Sequence, residues 1–187
     1  TMRGEYLVKK DRDILQRMSF MKRFNNEMHF HDENVAEHSF YVSVFAMMLC
    51  DELAVSANMR RVIIEKAIIH DIHEVVISDV PHNVKMIEPS ILKFYTNYES
   101  KYNAYHFASL VQLYDSLVLH DRQVCDEVVS LADILSVIQY AQLEVSLGNK
   151  KFEKILEGAW ERVDDCFRKL TELEVYGIER VIDFLRD

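Results

Sequence analysis

Val128-Val129-Ser130-Leu131-Ala132-Asp133-Ile134-Leu135-Ser136-Val137-Ile138 is an apolar run with a single carboxylate set inside it. It holds no Gly or Pro, is longer than an ordinary strand, and reads as a core helix. The residues one turn before and one turn after Asp133, Val129 and Val137, are both apolar. Asp133 therefore faces a largely apolar surface and does not sit on a solvated stripe. Burying an unpaired charge is very costly, so the run predicts Asp133 buried beside a cation.

The rest of the chain extends the helical reading. Four Gly and two Pro in 187 residues are too few for a protein built of hairpins. The pattern predicts a first helix over about 5–21 and a loop over 23–33. Further helices follow over about 34–53 and 57–72, then over 89–119 with one break. The last three run over about 122–147, 150–170 and 176–185. Ser78, Asp79 and Pro81 mark a polar turn, and Gly148-Asn149 a helix C-cap. The fold class expected is all-α, a helical bundle in one domain over 1–187. Its motif-bearing core is about 18–149, and C-terminal helices fill 150–187.

Composition narrows the function. A net charge of −9 argues against a nucleic-acid polymer as partner, because phosphate tracking needs a basic face. The longest apolar run, Phe40 to Cys50, is far short of the ~18 residues of a membrane span, so no membrane partner is expected. Residues 2–5 are charged and offer no signal-peptide core. Cys50, Cys125 and Cys166 form no CxxC pair and read as reduced core thiols of a cytoplasmic protein.

Other polar residues also stand where a core is expected. His38 follows Val35-Ala36 and precedes Phe40, Val42 and Val44; His70-Asp71 closes the run Ala67-Ile68-Ile69. His38, His70, Asp71 and Asp133, drawn from three helices, form a candidate site for one divalent ion. Mixed N and O donors without thiolate suit Mn, Co, Fe, Ni or Zn. The competing reading is four satisfied core polar residues. The chain has three His-Asp pairs. His31-Asp32 and His120-Asp121 lie at helix starts, where Asp32 and Asp121 read as capping residues. His29, His73, His82 and His106 read as surface or rim residues. His70 alone opens a longer constellation, His70-Asp71-x-x-Glu74-x-x-x-x-Asp79-x-Pro81, in which one further helical turn puts Glu74 on the face of His70.

These residues resemble the HD-domain phosphohydrolases, and among them the bacterial 5′-deoxynucleotidases of YfbR type. The likeness runs from Met18 to about Asn149. It comprises Arg23-Phe24, Glu33-Asn34-Val35-Ala36-Glu37-His38-Ser39, His70-Asp71 to Pro81 with Lys85 beyond, Leu131-Ala132-Asp133, and Leu147-Gly148-Asn149. It implies an HD-domain helical bundle holding one divalent ion (Co²⁺, Mn²⁺, or another of Zn, Fe, Ni or Mg) on His38, His70, Asp71 and Asp133. Arg23 would clamp the phosphate and Glu74 would orient or deprotonate the attacking water. Asp79 would face the sugar or leaving oxygen, Lys85 would add positive charge, and Phe24 would offer a stacking face. The chain departs from the family in having Phe24 for a tryptophan and Ser78 for a glycine. No clear acidic residue precedes the last ligand, Asp115 and Asp121 being the only substitutes.

The reaction implied is hydrolysis of a deoxynucleoside 5′-monophosphate to deoxynucleoside and phosphate. The alternative within the class releases triphosphate from a deoxynucleoside triphosphate such as dATP. The alternative outside it is a non-catalytic nucleotide-sensing or interaction module, which retention of all four ligands disfavours. The family precedent and the aromatics Phe94, Tyr95, Tyr98, Tyr102, Tyr105 and Phe107 lead us to expect a homo-oligomer.

Overall fold

The structure, a computed structural model, describes residues 13–78 and 88–186. Helical residues 13–18 come first and send Ile14 and Met18 into the core. Eight helices follow among the described residues: α1 (Val35–Leu53), α2 (Ala57–Ile69), α3 (Glu74–Ile77), α4 (Pro89–His106), α5 (Ala108–Ser116), α6 (Leu119–Ser146), α7 (Phe152–Glu172) and α8 (Glu179–Asp183). The only β pairing described is an isolated bridge between Lys22 and Asn34. One cluster of buried apolar side chains runs from Ile14 to Leu185.

The chain starts its helices with local chemistry. Asn34 caps α1 by accepting from the Glu37 N–H, and the Glu37 carboxylate accepts from the Asn34 N–H, a reciprocal capping box. Ser56 caps α2 by accepting from the Met59 N–H. Gly148 (φ 96°) turns the chain between α6 and α7 in a conformation that favours glycine.

α6 is the axis of the bundle. It packs against α1, α2 and α7 and buries Leu131, Ile134, Leu135 and Ile138 almost completely. By length and composition it is also the one described helix able to cross a membrane. However, 67% of its apolar window is buried inside the bundle, the placement of a core helix. The three cysteines are free and buried.

Several boundaries differ from the sequence reading. The first helix ends at residue 18, and the part expected over 5–12 lies outside the described residues. The helix expected over 57–72 stops at Ile69, and turns over 70–73 lead into the short α3. The break expected within 89–119 falls at Phe107 (φ −126°, ψ 41°). Neither expected aspartate cap forms. Asp32 instead takes Lys22 and His29, leaving the cap to Asn34. Val118 enters α6 in an extended conformation, so Asp121 falls within the first turn, where its charge still opposes the helix dipole.

Candidate metal centre

His38 is completely buried on α1, with its Nδ1 3.0 Å from Ser136 Oγ one turn beyond Asp133 on α6. Ser136 can accept the Nδ1 proton, which leaves the Nε2 lone pair facing the centre. His70, the C-cap of α2, donates its Nδ1–H to the Ala67 carbonyl at 2.8 Å. A carbonyl only accepts, so in the neutral ring the Nε2 atom is again the free donor to a metal. The two Nε2 atoms lie 3.2 Å apart.

Two carboxylates meet them. Asp71 Oδ2 is 3.1 Å from His70 Nε2 and 3.5 Å from His38 Nε2. Asp133 Oδ1 is 3.1 Å from His38 Nε2 and 4.0 Å from His70 Nε2. His38, His70 and Asp71 alone offer three donors within 4.8 Å of one another. Bonds of ~2.0–2.2 Å to one ion put neighbouring donors ~3.0–3.4 Å apart, so the set fits a single divalent cation with small adjustment. Two imidazoles with engaged Nδ1 atoms and two carboxylates are the donor chemistry of a reactive site, not of a closed thiolate site.

Positive charge surrounds the cluster. Arg23 Nη1 lies 3.1 Å from Asp71 Oδ2, and its Nε 3.6 Å from Glu33 Oε2. Arg162 on α7 comes within 3.8 Å of Asp133 Oδ2. Burial opposes the charge on Arg23, but Asp71, Asp133, Glu33 and Glu74 outweigh it and hold the guanidinium above its ordinary range. Burial likewise works against Asp71 and Asp133, yet the imidazoles and Arg23 keep both well below the usual carboxylate range. Burial, only partly offset by Arg23, pushes Glu33 up to about 7. Burial and Arg23 lower His38 to about 4. For His70 burial is outweighed by Asp71 and Asp133, which raise it to about 9.

The other candidates divide. Glu74 opens α3, is buried, and acts electrostatically on Arg23. Phe24 sits at φ 53° with its ring stacked on Tyr140 at 4.9 Å and edge-on to Phe152 at 5.5 Å. One face of that ring is thus occupied by protein. Asp79, Pro81, His82 and Lys85 lie outside the described residues. His73 is buried, contrary to the rim position expected for it, because the turns over 70–73 point it into the bundle. His29 bonds Asp32, and His106 packs on Tyr102. Asp115 is exposed.

The sequence alone assigns no role to Ser136 or Arg162, and Glu33 enters only as the first residue of the stretch Glu33 to Ser39. Ser136, a polar residue three positions after Asp133, carried a signal that helical spacing could have used. Arg162 carried none. A cavity of about 210 Å³ opens beside the centre, with Lys66, Glu99, Asn103 and Asp126 facing His70 and Asp133.

Comparison with known proteins bears directly on this site. Residues 12–181 match the family model described as 5′-deoxynucleotidase YfbR-like. The chain belongs to the YfbR-like family. Within reach of the family, it is 26% identical over 179 residues to the 4′-phosphooxetanocin A phosphatase of Priestia megaterium, covering 88% of each protein. Its fold is that of an HD phosphohydrolase from cyanophage S-2L, solved with dA and one catalytic Zn²⁺. That match has a TM-score of 0.66 at 14% identity, over 86% of this chain and 92% of the other. An HD-domain phosphohydrolase from Listeria innocua matches with a TM-score of 0.68 at 18% identity, over 95% and 89% of the two chains. The YfbR-like protein described here is thus a hydrolase of phosphate esters, with donors at His38, His70 and Asp71 that could hold a metal ion.

The raised His70 sets a pH dependence. Below about 9 the metal-free His70 keeps a proton that a cation must displace, whereas His38 is already neutral above about 4. Metal binding at pH 7 should therefore release about one proton, and affinity should weaken as the pH falls from 9. Calorimetric titration with Mn²⁺ in two buffers of different ionisation enthalpy reads this directly. Identical apparent enthalpies at pH 7 would show that no proton leaves.

Proposed function

We propose that this chain is a 5′-deoxynucleotidase, converting a deoxynucleoside 5′-monophosphate and water to deoxynucleoside and phosphate. The observation that carries the reading is the four-donor cluster with Arg23 against Asp71, in a chain of the YfbR-like family. A divalent ion on His38, His70, Asp71 and Asp133 would supply Lewis-acid chemistry and acidify a water molecule. Arg23 presents its guanidinium fork to the phosphoryl oxygens and offsets the charge of the phosphate. Glu74, buried beside it, takes the proton of the attacking water and can return it to the leaving 5′ oxygen. The new bond joins water oxygen to phosphorus, and the bond that breaks joins phosphorus to the 5′ oxygen. Asp79 would face the sugar, and Lys85 would balance charge. Phe24 would close one edge of the sugar pocket with the face that Tyr140 does not cover.

The dA bound to the cyanophage enzyme supports a deoxynucleoside in such a site, and the Priestia relative is named as a phosphatase. The latter favours a monophosphate over release of triphosphate from dATP. A site closed around the 2′ edge strips an extra ribose hydroxyl of water without giving it a partner, at about 1–3 kcal/mol. With Mn²⁺ or Co²⁺, dAMP should release phosphate with kcat/KM about ten- to a hundredfold above AMP. Triphosphate released from dATP as the dominant product would establish the alternative. Equal rates for dAMP and AMP would show that the 2′ position is not read. No turnover with any nucleotide would leave a binding module.

Buried free thiols support a reducing, cytoplasmic setting. We further propose self-association, supported by exposed Phe94 and Tyr105 on α4 and Phe40 and Met47 on α1. Light scattering at micromolar concentration should give at least a dimer mass; a monomer mass contradicts it.

A further inference from the structure

Glu144 near the end of α6 is fully buried, eleven residues after Asp133. At ~100° per residue this is ~20° past three full turns, so both carboxylates lie on one stripe of α6, ~16 Å apart along its axis. Tyr140, seven residues after Asp133, falls on the same stripe. The loop 22–34 lies along it.

That loop is tied at its base and at its tip. At the base, the Arg23 N–H donates to the Glu33 carbonyl at 2.9 Å, and the Val35 N–H to the Met21 carbonyl at 3.0 Å. At the tip, the Glu144 carboxylate accepts from the Phe30 N–H at 3.0 and 2.9 Å and from the His31 N–H at 2.6 Å. Asn149 Nδ2 donates both to Glu144 Oε2 at 2.7 Å and to the Met28 carbonyl at 2.8 Å. Between the two, Tyr140 donates its hydroxyl to the His31 carbonyl and stacks its ring on Phe24. Phe24 adjoins Arg23, whose guanidinium reaches Asp71 from this loop.

We infer that Glu144 is a positioning residue for catalysis, fixing the loop tip so that Arg23 is held in register with the metal ligands on the same helix. The inference rests on the reading that Arg23 engages the substrate phosphate. A buried glutamate whose only task was to stabilise the bundle would not have to bind the loop that delivers an active-site arginine. Here its hydrogen bonds come from two N–H groups of that loop and from the amide that also holds Met28. Burial opposes its charge, but Asn149 and the two N–H groups outweigh it and keep the carboxyl below its ordinary range. Glutamine replaces one acceptor oxygen with an NH₂ group that cannot serve a backbone N–H.

The test compares Glu144→Gln, Arg23→Ala and the double variant with the unaltered protein, all loaded with Mn²⁺ and assayed on dAMP. Metal content and thermal midpoint are measured alongside. Glu144→Gln should retain full metal content and lower kcat/KM by about ten- to a hundredfold, the scale of a misplaced catalytic group. In the Arg23→Ala background the same change should have an effect below about twofold, because the group it positions is gone. A lowered midpoint with unchanged kcat/KM would reduce Glu144 to a structural role and overturn the inference. So would losses that multiply in the double variant. An Arg23→Ala variant with unaltered kinetics would instead remove the phosphate reading on which the inference rests. If Glu144→Gln does not fold, Asn149→Ala and Tyr140→Phe probe the same anchor. Each should lower kcat/KM and show the same non-additivity with Arg23→Ala, and independent effects would overturn the proposal.

Discussion

Asp71 and Asp133 both direct an oxygen at the buried His38 Nε2, at 3.5 and 3.1 Å, and His70 Nε2 stands 3.2 Å from that atom. Without a cation this is two negative charges in a partly buried space, balanced among the described residues by Arg23, Arg162 and a protonated His70. Electrostatic interactions in such a space are strong, so the geometry is tolerable only if counter-charge is held close. The depressed carboxyls and the raised His70 are two sides of that constraint. A divalent ion held by His38, His70, Asp71 and Asp133 would satisfy it more completely than a proton, because it could engage all four donors at once.

The fold supplies the rigidity this needs. α6 is the bundle's axis, and it carries Asp133, Ser136, Tyr140 and Glu144 along nearly one stripe. The first holds the centre, the second orients His38, and the other two hold the loop bearing Arg23. The candidate metal ligand, the hydroxyl behind His38 and the loop anchors therefore share one rigid element, and their spacing is set by helix geometry. α1 and α2 add the imidazoles, each with Nδ1 occupied, so neither ring is free to rotate its donor away.

The helical class was legible because glycine and proline are scarce and the apolar spacing is strong. The four donor residues were legible for a related reason: a histidine or aspartate inside an apolar helical run needs a partner, and four such residues from three helices can serve one another. What escaped was chemistry whose partners are distant in sequence or lie in the backbone. Glu144 reads in the sequence as an ordinary helix-end charge, but its partners are N–H groups at Phe30 and His31, more than a hundred residues earlier. Arg162 falls in a C-terminal helix that no motif covers. Asp32 and Asp121 have the chemistry of caps but lost those places to the path of the chain into α1 and α6. His73 looked polar and peripheral, and the turns after Ile69 carried it inward.

The central claim is that one divalent cation sits among His38, His70, Asp71 and Asp133. Crystals grown with Mn²⁺ or Co²⁺ and measured at the metal's absorption edge test it most directly. The account predicts a single strong anomalous peak bonded to both Nε2 atoms and to one oxygen of each carboxylate, at ~2.0–2.3 Å. A metal peak elsewhere, for example at His29 and Asp32 or at His120 and Asp121, with none among these four residues, would contradict it.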